Sequence, residues 1–366
     1  MLETKTAVGI YTDAALSGVD VCLLTTDGLD LYGEPLSISR GYDPSLKEEL
    51  SSLKTEADLA NSHKLITLEE KITTHIIEVV KELLELGKRT FPQINIIGLS
   101  GQNVYHNANN KISISLANAD KIAQTFNVPV VNRFIQSDLA AGGKGGPLLA
   151  SFYEVLTKNM PKPLVIASLG GLSALTYIGD IGQMRSFHVG PGNILLDMWI
   201  QKRYGQEMDY DGLFGAKGTV DERLLNVLMK HPFLAQEPPK TADRNEFNDL
   251  LKQVDGSHAE DGAATLTAFI GRSLTEALRF LPEKPELWIL TGGGTFNPTL
   301  VLDIKKRLSD TRVETATEFG WDKNTLSAWG YGFLAVRSLF GLPISYPATT
   351  GVSEPISGGL MHIPKE

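Results

Sequence analysis

The sequence predicts an α/β protein of two domains. Three observations carry this. Short β-rich runs alternate with amphipathic helical runs. Glycine-rich turns follow strand-like runs in both halves of the chain. The length of 366 residues also exceeds what a single core normally sustains.

The elements follow in order. Residues 7–11 and 19–25 read as a hairpin around a loop carrying Asp13 and Ser17, and Asp27-Gly28 supplies the next tight turn. A helix is predicted over 68–86, with Ile72, Ile76, Val79, Val80, Leu83 and Leu84 on its apolar face. Thr67 and Glu70 would cap its start, and Gly87 would end it. Strands are expected at 94–99 and 128–134. After Asp138, glycine fills four of the five positions 142–146, which excludes a helix or strand interior there.

The second half opens like the first, with strands at 164–167 and 173–178 around Gly170-Gly171. Helices are expected at 193–204, 221–230, 263–280, 299–308 and 326–339, and a strand at 287–290. The Gly/Pro/Ser-rich tail, 344–366, is expected to be irregular. Glycine turns at the carboxyl ends of strands form the ligand-binding edge of open α/β sheets. Two such edges would make an inter-domain cleft for a nucleotide and a small substrate.

Composition removes several function classes. There are 43 acidic against 34 basic residues, a net charge of −9, which argues against nucleic acid or an anionic membrane as partner. A phosphate site survives this argument because it needs only a few local donors. The single cysteine, Cys22, excludes an internal disulfide and any cysteine-rich metal site. It lies in an apolar run and reads as a buried structural thiol. No stretch approaches the roughly 20 apolar residues of a membrane helix, and the N-terminus lacks signal-peptide features, so a soluble cytoplasmic protein is expected.

Three motifs could carry chemistry. Gly292-Gly293-Gly294 lies between a strand and a helix, where bare backbone and a helix N-terminus favour a nucleotide. It could equally be a plain tight turn. Gly190-Pro191-Gly192-Asn193 precedes a helix containing Asp197. Asn193 there is either an N-cap or part of a ring around a ligand oxygen, and His188 just before it could titrate near neutral pH. Asp138, ahead of the glycine-rich loop, is a general base or a loop-capping carboxylate.

Taken in order and spacing, these segments resemble the anhydro-N-acetylmuramic acid kinases. Those enzymes belong to the superfamily of acetate and sugar kinases, heat-shock proteins and actin. Matching stretches are Leu16 to Asp20, Gly101-Gln102 with Val104 and His106, Asp138 through Leu148, Gly170-Gly171, and Gly190 through Asn193 with Asp197. Further matches are Asp209 to Gly212, Pro238-Pro239-Lys240 with Arg244 and Phe247, and Thr265 to Thr267. Gly292 through Gly294 with Asn297-Pro298, Leu334-Ala335 with Arg337, and Thr350-Gly351 complete them.

The resemblance implies a two-domain actin-like (ribonuclease H-like) sugar kinase fold with an active site between the domains. The domains would be 1–140 with 341–366, and 141–340. It implies ATP-dependent conversion of 1,6-anhydro-N-acetylmuramic acid and water to N-acetylmuramic acid 6-phosphate, with Mg²⁺. The catalytic base falls on Asp138. Nucleotide and phosphate contacts fall on Asp13, Ala14, Ala15, Ser17, Gly18, Asp20, Gly170, Gly171, Gly190, Gly192, Asn193, Gly292, Gly293, Gly294 and Asn297. Sugar contacts fall on Ser100, Gln102, Gly142 and Gly143. No metal site built by side chains alone is implied. The partners are the anhydrosugar and ATP, with a homodimer as the assembly common in the family.

Several positions depart from the family pattern. Its Gly-Thr-Ser-x-Asp-Gly loop reads Asp13-Ala14-Ala15-Leu16-Ser17-Gly18 here, placing a carboxylate where bare backbone is expected. Its Asp-Phe-Arg reads Arg133-Phe134-Ile135, His188-Val189 replace Asp-Thr, and a late glutamate reads Ser327. Glycines, prolines and apolar spacers are retained while polar groups change. A catalytically inactive homologue that binds sugar or nucleotide, or partners a true kinase, is the second reading.

Overall fold

The computed structural model describes residues 2–53, 59–91, 93–180 and 182–365. The chain forms two compact units, Met1–Asn159 with Asn324–Glu366, and Met160–Lys323. The sequence boundaries at 140 and 341 differ from this. Helices Ala150–Leu156 and Leu326–Leu339 belong to the first unit, because the second of them packs on that unit's sheet and on the first of them.

The first unit is built on a six-stranded sheet of order β13-β7-β4-β1-β2-β3. Its strands are β1 (Lys5–Thr12), β2 (Gly18–Thr26), β3 (Leu31–Gly41), β4 (Ile96–Leu99), β7 (Val130–Asn132) and β13 (Leu360–His362). β1, β2 and β3 form an antiparallel meander, while β4 and β7 run parallel to β1. A separate hairpin, β5 (Gln102–Asn107) and β6 (Ile112–Leu116), follows β4. The second unit holds β8 (Leu164–Leu169), β9 (Ser173–Ile178), β10 (Met184–Gly190), β11 (Leu287–Thr291) and β12 (Arg312–Thr315) in the order β10-β9-β8-β11-β12. Here too the first three are antiparallel and the last two parallel to the first. Each unit therefore repeats one five-strand topology, that of the ribonuclease H-like fold which actin-like kinases duplicate.

Alternation explains the strands. On β1 and β2, Val8, Ile10, Val19, Val21 and Leu23 bury completely against helix Ser62–Gly87, whose Ile72, Ile76, Val80 and Leu83 face them. That helix starts at Ser62, ahead of the expected 68. Asn61 caps it, its Oδ1 accepting from the Lys64 amide at 3.1 Å. Thr67 lies inside it, its hydroxyl donating to the His63 carbonyl at 3.0 Å. Gly87 is the last helical residue and is no left-handed cap. A side chain there would meet Leu23 and Leu36, so glycine lets the helix end against the sheet.

Two more expectations are corrected. The strand expected at 128–134 is only Val130–Asn132, because Arg133 turns left-handed (φ 53°) and starts helix Phe134–Ala140. The tail is ordered, with helix Pro347–Thr350 and β13 paired antiparallel to β7. Among the described residues no helix is long and apolar enough to cross a membrane.

Helix Leu326–Leu339 lies across β1 and β4 at very close range. A side chain at Gly9 would overlap the Ala328 carbonyl, and one at Gly98 the Tyr331 carbonyl. Both obstacles are backbone, which cannot rotate aside. Gly9→Ala is therefore expected to cost at least about 1–3 kcal/mol by overpacking, read as a Tm several degrees lower. Gly256→Ala, on an exposed turn with open space around it, should stay within about 0.5 kcal/mol of wild type. Equal Tm values for the two variants would refute the close-packing account.

Candidate active site

In the first unit, β1 and β4 are parallel, so their carboxyl ends share one edge. Loop 13–17 follows β1, and Ser100-Gly101-Gln102 follows β4. The two are bonded together. The Thr12 amide donates to Ser100 Oγ at 3.1 Å, and Gln102 Nε2 donates to the Asp13 carbonyl at 2.9 Å. Gln102 is fully buried, and its Oε1 accepts from the Tyr42 hydroxyl at 3.0 Å. Ser100 and Gln102, two of the four predicted sugar contacts, thus spend polar atoms on holding the loop. Tyr42 carried no local signal in the sequence and was missed.

Asp13 closes its own loop. Its two carboxylate oxygens accept from the Ser17 amide and the Ser17 hydroxyl, each at 2.9 Å. The intervening Leu16 is buried and left-handed (φ 59°). Ala14 and Ala15 are half-buried, and Gly18 starts β2 where a side chain would overlap the Arg40 carbonyl. Asp20 lies on β2 opposite Tyr11.

Asp138 forms a second group. It lies in helix Phe134–Ala140, which follows β7, and only 1% of it is exposed. Its carbonyl accepts from the Gly143 amide at 2.9 Å, and its Oδ1 accepts from the Gly145 amide at 2.6 Å. Its Oδ2 is buried with no hydrogen-bond partner in the protein. A side chain at Gly143 would overlap the Asp138 carboxylate, so this glycine is required by the carboxylate it wraps. Gly142 stands open and exposed at φ 92°. The β5–β6 hairpin braces the group. His106 Nε2 lies 3.0 Å from the Lys144 carbonyl, and Gln136 Nε2 donates to the Ser113 carbonyl at 3.1 Å.

The second unit gathers its glycines around the end of β8. The Asn193 amide donates to the Gly170 carbonyl at 2.9 Å, and Asn193 Nδ2 donates to the Leu169 carbonyl at 3.0 Å. Asn193 is therefore not a side-chain N-cap; it ties helix Ile194–Tyr204 to β8. Gly192 is left-handed (φ 54°), and a side chain there would strike the Gly170 and Gly171 backbone. Gly292 and Gly294 close on Leu169, and a side chain at Gly294 would also meet the Asn193 amide group. Gly293 faces open space. The structure thus brings together Gly170, Gly171, Gly192, Asn193, Gly292 and Gly294, with Gly190 ending β10 beside them. Asn297 is instead a helix cap, its Oδ1 accepting from the Leu300 amide at 3.0 Å. Lys323 belongs with this group and was missed. Its carbonyl accepts from the Gly292 amide at 2.7 Å, and its ammonium lies 3.9 Å from the Phe296 ring centroid.

His188 is held in place by its Nδ1, which accepts from the Ala242 amide at 3.0 Å. That bond places the proton of the neutral ring on Nε2. The same segment carries Lys240, 4% exposed, whose Nζ donates to the Phe233 carbonyl at 2.9 Å and lies 4.8 Å from the Phe280 ring centroid. Burial, with the nearby Arg279 adding to it, pushes the Lys240 ammonium down to about 8, against the opposing pull of Glu237.

Below pH 8 Lys240 is protonated in both folded and unfolded chains, and the buried charge costs its full amount. Between pH 8 and the ordinary lysine value the unfolded chain holds more protons, so this contribution to stability rises with pH. The Tm of wild type relative to Lys240→Met is expected to rise from pH 8 to pH 10. A pH-independent gap would refute it.

Comparison with known proteins bears on the whole chain. The family model described as anhydro-N-acetylmuramic acid kinase matches residues 5–364. The anhydro-N-acetylmuramic acid kinase of Rhodopseudomonas palustris (strain HaA2) is 37% identical over 369 residues, covering 98% of this chain and 99% of the relative. Those of Bradyrhizobium diazoefficiens and Rhizorhabdus wittichii are each 35% identical over 366 residues, with 98% and 99% coverage. The family model over residues 5–364 and these full-length relatives show that the chain belongs to the anhydro-N-acetylmuramic acid kinase family.

Proposed function

We propose that the protein phosphorylates 1,6-anhydro-N-acetylmuramic acid with ATP while opening its anhydro ring with water, giving N-acetylmuramic acid 6-phosphate and ADP. The observation that carries this is Asp138, a buried carboxylate with one oxygen fixed by the Gly145 amide and the other unpartnered. In the proposed reaction the free oxygen takes a proton from water as that water forms a bond to the anomeric carbon. The bond from that carbon to O6 breaks, and its electron pair goes to O6. O6 then takes the γ-phosphoryl group, and the bridging oxygen leaves with ADP.

The nucleotide is proposed to lie on the glycine turns of the second unit. Gly293 leaves open space, and neighbouring glycines keep side chains away from a phosphate or ribose. The donor set fits Mg²⁺, which takes few protein carboxylates and fills its octahedron from phosphate and water. Asp13, at the carboxyl end of β1, would hold it from the loop that its bonds to Ser17 close. When bound, Mg²⁺ neutralises charge developing on the phosphates. The backbone around Gly170, Gly192 and Asn193 would position the phosphates. Among the described residues no feature favours the reading as a homologue without turnover.

Thermal unfolding with Mg-ATP, with the anhydrosugar and with both, alongside ADP release, tests this. Ligands that bind the native state raise Tm by mass action. The expected result is a Tm rise with each ligand and sugar-dependent ADP release. Asp138→Asn should lower turnover about 10²–10⁴-fold, as loss of a general base does, while keeping the ATP shift. No Tm shift and no ADP would overturn the proposal.

A further inference from the structure

We infer that Thr350 is a second water-positioning residue of the reaction, working opposite Asp138. The inference rests on the kinase reading above and assigns a role to a residue far away in sequence. The loop after Asp138 is threaded between these two residues. Its three successive amides, at Gly143, Lys144 and Gly145, donate in turn to the Asp138 carbonyl (2.9 Å), the Thr350 carbonyl (2.7 Å) and Asp138 Oδ1 (2.6 Å). Asp138 and Thr350 therefore flank the same short stretch of backbone.

Each of them also carries one buried side-chain oxygen with no partner in the protein, Asp138 Oδ2 and Thr350 Oγ1. Their exposures are 1% and 0%. Buried polar atoms are nearly always satisfied, so two orphans on residues that hold the same loop point to a shared polar guest. A water molecule meets this need: one hydrogen goes to the Asp138 carboxylate, the other to the Thr350 hydroxyl oxygen. Two acceptors fix the water's orientation, which leaves a lone pair free for the anomeric carbon. Asp138 takes the proton; Thr350 is unchanged by the reaction.

Thr350 is rigidly placed for such a role. It ends helix Pro347–Thr350, its amide donates to the Tyr346 carbonyl at 3.0 Å, and Gly351 turns the chain away at φ 84°. The Tyr346 hydroxyl is in turn bonded by Arg337 Nη2 at 3.0 Å. A hydroxyl kept without a partner in so fixed a place adds nothing to folding. Its replacement by an isosteric methyl should leave stability unchanged or higher.

The test is Thr350→Val and Thr350→Ser in the full chain, each also in an Asp138→Asn background. Thr350→Val is expected to retain or raise Tm, to lower kcat at least about 10-fold through loss of orientation, and to leave KM for the anhydrosugar within about 2-fold. Thr350→Ser should recover most of the loss. In the Asp138→Asn background the same change should cost little, because both residues act on one water. Unchanged turnover in Thr350→Val overturns the inference. So does a fall in kcat that tracks a fall in Tm and is not recovered by serine, which assigns the hydroxyl to structure. A wild-type protein with no sugar-dependent ADP release overturns the kinase reading itself, and with it this role.

Discussion

Only hydrogen fits between β1 and the Ala328 carbonyl at Gly9, and between β4 and the Tyr331 carbonyl at Gly98. That close approach fixes helix Leu326–Leu339 on the first sheet, and much else hangs from the helix. Arg337 near its end is 7% exposed and donates to the carbonyls of Gly28 and Pro343, at 2.8 and 2.7 Å, and to the Tyr346 hydroxyl. One side chain thereby joins the β2–β3 turn to the tail. The tail runs through Thr350, whose carbonyl holds the Lys144 amide, and into β13, which closes the sheet on β7. β7 leads to Asp138. The position of the proposed base thus depends on a packing distance set by two glycines on neighbouring strands.

The second unit uses glycine for a different purpose. There the close approaches are between turns: Gly192 against the Gly170 and Gly171 backbone, and Gly292 and Gly294 against Leu169. Bare backbone at strand ends places amide groups and a helix start together, which is what a polyphosphate needs. In the first unit the corresponding strand ends carry side chains, Asp13, Ser17, Ser100 and Gln102, that bond to one another and to the backbone of Thr12 and Asp13. One topology therefore supports two kinds of surface. The difference lies in whether the loops after the first and fourth strands close through side chains or through glycine.

Most of the architecture was legible because its signals are local. Short β-rich runs marked β1, β2, β8 and β9, the 3.6-residue apolar face marked helix Ser62–Gly87, and glycine runs marked the turns. What was not legible depends on partners distant in sequence. β3, with no fully buried residue, lacks the buried alternation that reveals a strand, and β5 buries one polar and one apolar residue, Gln102 and Val104, which gives it no apolar stripe. β13 is a strand only because β7 offers it an edge. Asp138 was readable as a candidate, yet its wrapping by Gly143 and Gly145 was not. Gln102 and Asn297 were readable as polar residues near turns, but their bonds to Asp13 and to the Leu300 amide give them structural work.

The loop after β1 shows why position in sequence misleads on electrostatics. Read linearly, Asp13 puts a negative charge where the family pattern has glycine, and Ser17 removes the carboxylate expected at that position. In the fold, both oxygens of Asp13 bond to Ser17. The carboxylate therefore reaches the place the substitution vacated, from the other end of the loop. The loop keeps a single carboxylate and hence the same formal charge. Repulsion falls off with distance and is offset by a nearby cation. A carboxylate bonded to the far end of its loop is positioned by those bonds and not by its place in the sequence. The apparent loss at 13–18 is better understood as an exchange of partners across a turn that its own hydrogen bonds hold closed.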